Sequence, residues 1–114
     1  MNLRFLSRDL GLDEAECTEL IKLFVETSRA DLAKLKACLA SGDTRLACSA
    51  AHSLKGAALN MGLAEISEIS ETISRLIQNG AEETVASHVE TLDDLITALA
   101  QSFPPRPGRE GGRA

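Results

Sequence analysis

Proline is absent from the first 103 residues of this 114-residue chain; all three prolines stand at 104, 105 and 107. A proline inside a helix removes a backbone hydrogen bond and clashes with the preceding turn, at a cost of about 3 kcal/mol. Nothing of that kind interrupts a helix here, and glycines at 11, 42, 62 and 80 are spaced like the stops between helices. After Gly11, Asp13 stands as an N-cap with Glu16 three residues on, the pattern of a capping box. The spacing predicts a helix over 13–40, with Leu20, Phe24, Leu32, Leu35 and Leu39 recurring mostly at helical intervals. Ser41-Gly42-Asp43 ends it and caps the next. Further helices are expected over 43–61, 63–79 and 81–102. The third of these four carries Leu63, Ile66, Ile69, Ile73, Leu76 and Ile77, and the last carries Val85, Val89, Leu92, Ile96 and Leu99. Each set is an apolar stripe that needs a facing helix.

Four amphipathic helices joined by loops of a few residues must lie antiparallel to their chain neighbours. The expected fold class is therefore all-α, an antiparallel up-down-up-down four-helix bundle over residues 1–103. A short extra N-terminal helix from "NLRFLSRDL" would close one end with Leu3, Phe5 or Leu6. The segment 104–114, "PPRPGREGGRA", has too few apolar groups to fold and is expected to be a disordered, solubilising tail. Net charge of −5 argues against a general affinity for nucleic acid or anionic membranes. The lack of Trp and Tyr removes most base-stacking platforms as well. No apolar run approaches the length of a bilayer span, and Arg4 and Arg8 break up the opening residues as a secretory signal. Three cysteines, Cys17, Cys38 and Cys48, form no close pair and read as reduced thiols of a cytoplasmic protein.

One glycine does not fit the punctuation. Gly56 lies inside "HSLKGAALNMG" (52–62), where an interior glycine costs a helix about 1 kcal/mol relative to alanine. At 100° per residue, Arg45, Cys48, Ser49, Lys55, Gly56 and Leu59 fall within about 60° of His52. The opposite face holds Asp43, Leu46, Ala47, Ala50, Leu54, Ala57 and Met61, of which Leu54, Met61 and the alanines suit a core. His52 is thus expected to point away from the core. A neutral imidazole nitrogen is a nucleophile near neutral pH. A lysine at i+3 favours an anion beside it, and a glycine at i+4 leaves the ring uncrowded. The three together suit a histidine that accepts a bulky anionic group, with phosphoryl the obvious candidate.

On "AHSLKGAALNMGL" (51–63), preceded by the long helix "LFVETSRADLAKLKACLASGD" (23–43), the chain resembles the histidine-containing phosphotransfer domains of bacterial two-component phosphorelays. The resemblance implies that His52 takes a phosphoryl group through Nε2 from an aspartyl phosphate on a receiver domain and passes it to another. It implies that Lys55 neutralises charge on the transferring group and Gly56 lets the receiver approach. Arg45, Cys48, Ser49 and Leu59 would line the partner-binding face. No cofactor is expected on the chain, since the Mg²⁺ and much of the charge stabilisation belong to the receiver. The partner would be the receiver of a response regulator or of a hybrid histidine kinase, and the carrier a monomer without a kinase or ATP site of its own. Ala57 stands where many family members carry a serine, so one hydrogen bond to the site is missing.

Three other readings stand beside this one: the phosphoacceptor domain of a chemotaxis-type kinase, a scaffold that docks receivers without carrying phosphoryl, and a metal or redox site on Cys48 and His52. The last has two ligands at i and i+4, whereas a zinc site needs three or four. His88 reads as a boundary histidine of the last helix, and Glu65, Glu68 and Glu71 as a solvated face of the helix before it.

Overall fold

Two of the helices start on an aspartate cap and three stop at a left-handed glycine. The computed structural model describes residues 13–102, which form α1 (Glu14–Ser41), α2 (Thr44–Asn60), α3 (Ala64–Gln78) and α4 (Glu82–Ser102), with no strand among the described residues. These bounds lie within a residue of those expected; the extra N-terminal helix and the 104–114 tail lie outside the described residues. At the start of α1, Glu16 N–H donates to Asp13 Oδ1 at 2.8 Å and Asp13 N–H donates to Glu16 Oε1 at 3.0 Å, closing the capping box. Asp43 repeats half of it for α2, accepting from Leu46 N–H at 3.1 Å.

The three helix stops share one design. Gly42, Gly62 and Gly80 have φ of 81°, 71° and 75°, the left-handed region in which a side chain costs about 1 kcal/mol or more. In each, the residue after the glycine reaches back to the same carbonyl position: Asp43 N–H to Cys38 O at 2.8 Å, Leu63 N–H to Ala58 O at 2.9 Å, Ala81 N–H to Leu76 O at 2.9 Å. The chain reverses within a few residues every time. Consecutive helices are consequently antiparallel neighbours, and α1 also packs on α4 to close the ring of four.

The core sits along the bundle axis. From α1 it takes Cys17, Ile21, Phe24, Val25, Leu32, Leu35 and Cys38; from α3, Ile66, Ile73 and Ile77; from α4, Val85, Val89, Leu92, Ile96 and Leu99. Leu20, Leu39, Ile69 and Leu76, expected in the stripes, are half-buried at its margin. Ser28 and Ser70 are buried too, each donating its hydroxyl to the carbonyl one turn back (Phe24 O at 2.6 Å, Ile66 O at 2.7 Å), so neither is left unsatisfied. Outside the core, Lys36 Nζ donates to Asp93 Oδ2 at 2.8 Å and ties α1 to α4. That bond holds the Asp93 carboxyl below its ordinary pKa.

The buried face of α2 is mostly alanine: Ala47, Ala50, Ala51 and Ala58, with Leu54 as its one large member and Met61 buried just past the end. Of the residues expected in the core Ala57 sits at its margin, and Leu46 on the same face turns out to solvent. Leu46 is 46% exposed and Ala57 is half-buried, while Ala51 and Ala58 are fully buried. On the helical wheel the buried set is centred about 30° from the point opposite His52, on the side of Lys55 and Cys48. Leu46 and Ala57 lie on the other flank and are rotated out. Leu54 has no exposed surface, so Leu54→Ala should lower unfolding stability by about 2–5 kcal/mol, measured by urea titration with the helical signal retained before the transition.

Candidate functional site

The burial of α2 carries its opposite face into solvent. Arg45, Ser49, His52, Gly56 and Leu59 are exposed in a strip along the helix, Leu59 at 58%. His52 stands in the middle of this 17-residue helix. A Cβ built on Gly56 meets nothing within 4 Å, so no neighbouring helix requires that residue to be glycine. Its backbone is ordinary α-helix, in contrast to the three left-handed glycines. The position lies on the exposed strip, one helical turn from His52.

Cys48 and Lys55 are placed differently. Because burial is rotated toward their side of the wheel, both are half-buried and lean on α3. Cys48 donates its thiol hydrogen to Ser74 O at 3.7 Å, which sets it at the α2–α3 seam rather than on the open strip. Lys55 Nζ lies 3.9 Å from Glu71 Oε1, and Glu71 Oε2 in turn accepts from Arg75 Nη2 at 2.8 Å. His52, Lys55, Glu71, Ser74, Arg75 and Gln78 together line a shallow polar hollow of about 200 Å³ on the α2–α3 face.

The α3 side of this hollow is absent from the motif around His52. Ser67, Glu71, Ser74 and Gln78 share one face of α3 by their spacing, and Cys48 and Lys55 show that this face looks at α2. Glu71, read as part of a solvated acidic face, is about half exposed yet sits between two cations. The one local signal was the i,i+4 spacing of Glu71 and Arg75, which marks a pair but not its position beside a histidine. As an exposed pair it adds about 0.3–0.5 kcal/mol to stability.

The other chemistry-bearing groups do not converge here. His88 on α4 is half-buried and donates Nδ1–H to Thr84 O at 2.8 Å, within its own helix. Cys17 and Cys38 are buried in the core, and no disulfide joins the three cysteines. Among the described residues no three His, Cys, Asp or Glu side chains are grouped to hold a metal ion, and no helix is long and apolar enough to cross a membrane.

What the hollow can do follows from its contents: an accessible imidazole, two cations on one side of it, and a clear approach on the other. The Hpt domain family model matches residues 19–102, and the chain belongs to that family. No curated protein and no solved structure matches the chain. The family assigns it a histidine phosphotransfer role in two-component systems, with receiver domains as the partners of such domains.

The space above Gly56 makes a specific prediction. Gly56→Ala should stabilise the domain by up to about 1 kcal/mol, read as a rise of several degrees in melting temperature. A fall would mean that a neighbouring helix does need the glycine.

Proposed function

We propose that the protein is a phosphoryl carrier, with His52 moving phosphoryl groups between the aspartates of receiver domains in a two-component phosphorelay. The observation that carries the reading is the exposure of His52 at mid-helix, in a hollow it shares with Lys55 and beside the bare surface of Gly56. The Nε2 lone pair attacks the phosphorus of an aspartyl phosphate. The P–N bond forms as the P–O bond breaks, and the electron pair returns to the aspartate as carboxylate. The ring proton stays on Nδ1, so no general base is needed. Lys55 stabilises charge on the phosphoryl oxygens during transfer, and Mg²⁺ on the receiver supplies further neutralisation.

The exposed strip suits the partner. Leu59 is a large apolar side chain with no core to fill, and Arg45, Ser49 and Gly56 surround it and His52 with small or polar groups. Receiver domains of a response regulator or hybrid kinase dock on this strip, and a monomeric carrier leaves it free. The thiol state of the cysteines fits a cytoplasmic setting.

The decisive experiment mixes the protein with a receiver carrying aspartyl phosphate. The expected product is one acid-labile, base-stable phosphate on the carrier, absent from His52→Gln. Label that persists in His52→Gln and disappears in His88→Gln would overturn the assignment.

Docking and chemistry separate in a second test. Leu59→Asp should weaken receiver binding, measured by calorimetry, while uptake from the small donor phosphoramidate continues at the parental rate. Loss of helical structure in that variant would place Leu59 in the core instead.

A further inference from the structure

The hollow contains more charge than a lysine beside a histidine requires. Lys55 and Arg75 both face it, and the Glu71 carboxylate stands between them, 3.9 Å from Lys55 Nζ through Oε1 and hydrogen-bonded at 2.8 Å to Arg75 Nη2 through Oε2. A phosphoryl group on His52 would enter this same space with a charge near −2 and three acceptor oxygens. The single negative charge of a carboxylate is the weaker partner for two cations, so the carboxylate and the phosphoryl group compete.

We propose that Glu71 is an internal counter-ion occupying Lys55 and Arg75 while His52 is free, and that Arg75 is a second phosphoryl-binding cation once His52 is phosphorylated. The inference rests on the phosphoryl-carrier reading and adds two α3 residues to it. The two pairs are unequal, and this sets an order. Lys55, beyond hydrogen-bonding distance of Glu71, is released to the phosphoryl group at once. Arg75 must exchange a direct bond for a new one. The pair contributes little to the fold: both side chains are about half exposed or more, Glu71 at 47% and Arg75 at 62%. Glu71 therefore tunes how readily His52 is charged and how long it stays so.

The proposal predicts opposite effects from the two ends of one ion pair. Glu71→Gln frees both cations for the phosphoryl group, whereas Arg75→Gln removes one and leaves Glu71 to Lys55 alone. The full chain is phosphorylated with phosphoramidate, which needs no receiver, and phosphohistidine is followed by ³¹P NMR during uptake and after removal of the donor. Glu71→Gln should raise the initial rate and lengthen the phosphohistidine lifetime by about two- to five-fold, the span of an exposed charge pair. Arg75→Gln should move both the other way by a similar factor, and Arg75→Lys should restore part of the loss. All three differences should shrink at 1 M salt, where exposed charges are screened.

A pair that only staples α3 gives both variants the same sign or no change, and that result overturns the proposal while leaving the carrier reading in place. An effect of Arg75→Gln seen with a phosphorylated receiver but absent with phosphoramidate also overturns it, making Arg75 a docking contact. Failure of the parent protein to phosphorylate on His52 removes the carrier reading and this inference with it.

Discussion

The direction in which α2 is buried fixes the rest of the site. Once Ala47, Ala50, Ala51, Leu54 and Ala58 turn inward, the geometry of an α-helix leaves no freedom in where its other residues point. His52, Gly56 and Leu59 go to solvent, Cys48 and Lys55 go to the α3 seam, and Leu46 goes to the opposite flank. The hold is weak per residue, because an alanine buries little surface, and is shared among four of them around a single leucine. The large apolar groups that complete the core come from α1, α3 and α4. The helix that carries the chemistry is thus positioned chiefly by its neighbours.

That division also explains what could be read from the chain alone. Helix ends were legible because their causes are local: Asp13 with Glu16, Asp43, and glycines at 42, 62 and 80 act within a turn of themselves. The outward placement of His52 was legible from the wheel, since it lies far from every candidate core position. The finer rotation of α2 was not. Alanine is equally at home in a core and at a margin, so a helix rich in it gives a broad apolar signal, and Ala57 was not separable from Ala51 and Ala58. The α3 half of the hollow was beyond reach for a different reason. Glu71, Ser74, Arg75 and Gln78 meet His52 only through the packing of α3 on α2, about twenty residues away in sequence.

Gly56 and the glycines at the helix stops show how one residue type serves opposed purposes. At 42, 62 and 80 the backbone itself requires glycine, through a positive φ. At 56 the backbone is ordinary α-helix and an added Cβ would meet nothing within 4 Å. The fold supplies no reason for a glycine there, and access to the neighbouring imidazole is the reason we propose. A stability argument alone would replace this glycine, which separates it from the other three.

The mounting of His52 on a continuous helix has a consequence for reversibility. A nucleophile on a mobile loop or beneath a lid must wait for a conformational step, and such a step can differ between arrival and departure of the transferred group. His52 stands in the middle of a 17-residue α-helix, in a shallow hollow. For a phosphoryl carrier built this way, a donor and an acceptor would meet the same helical surface with no lid to open between arrival and departure. In the proposed carrier role the protein would be a passive junction. Net flow is set by the relative phosphorylation potentials and concentrations of its partners, and reversing either would make the same site run backward.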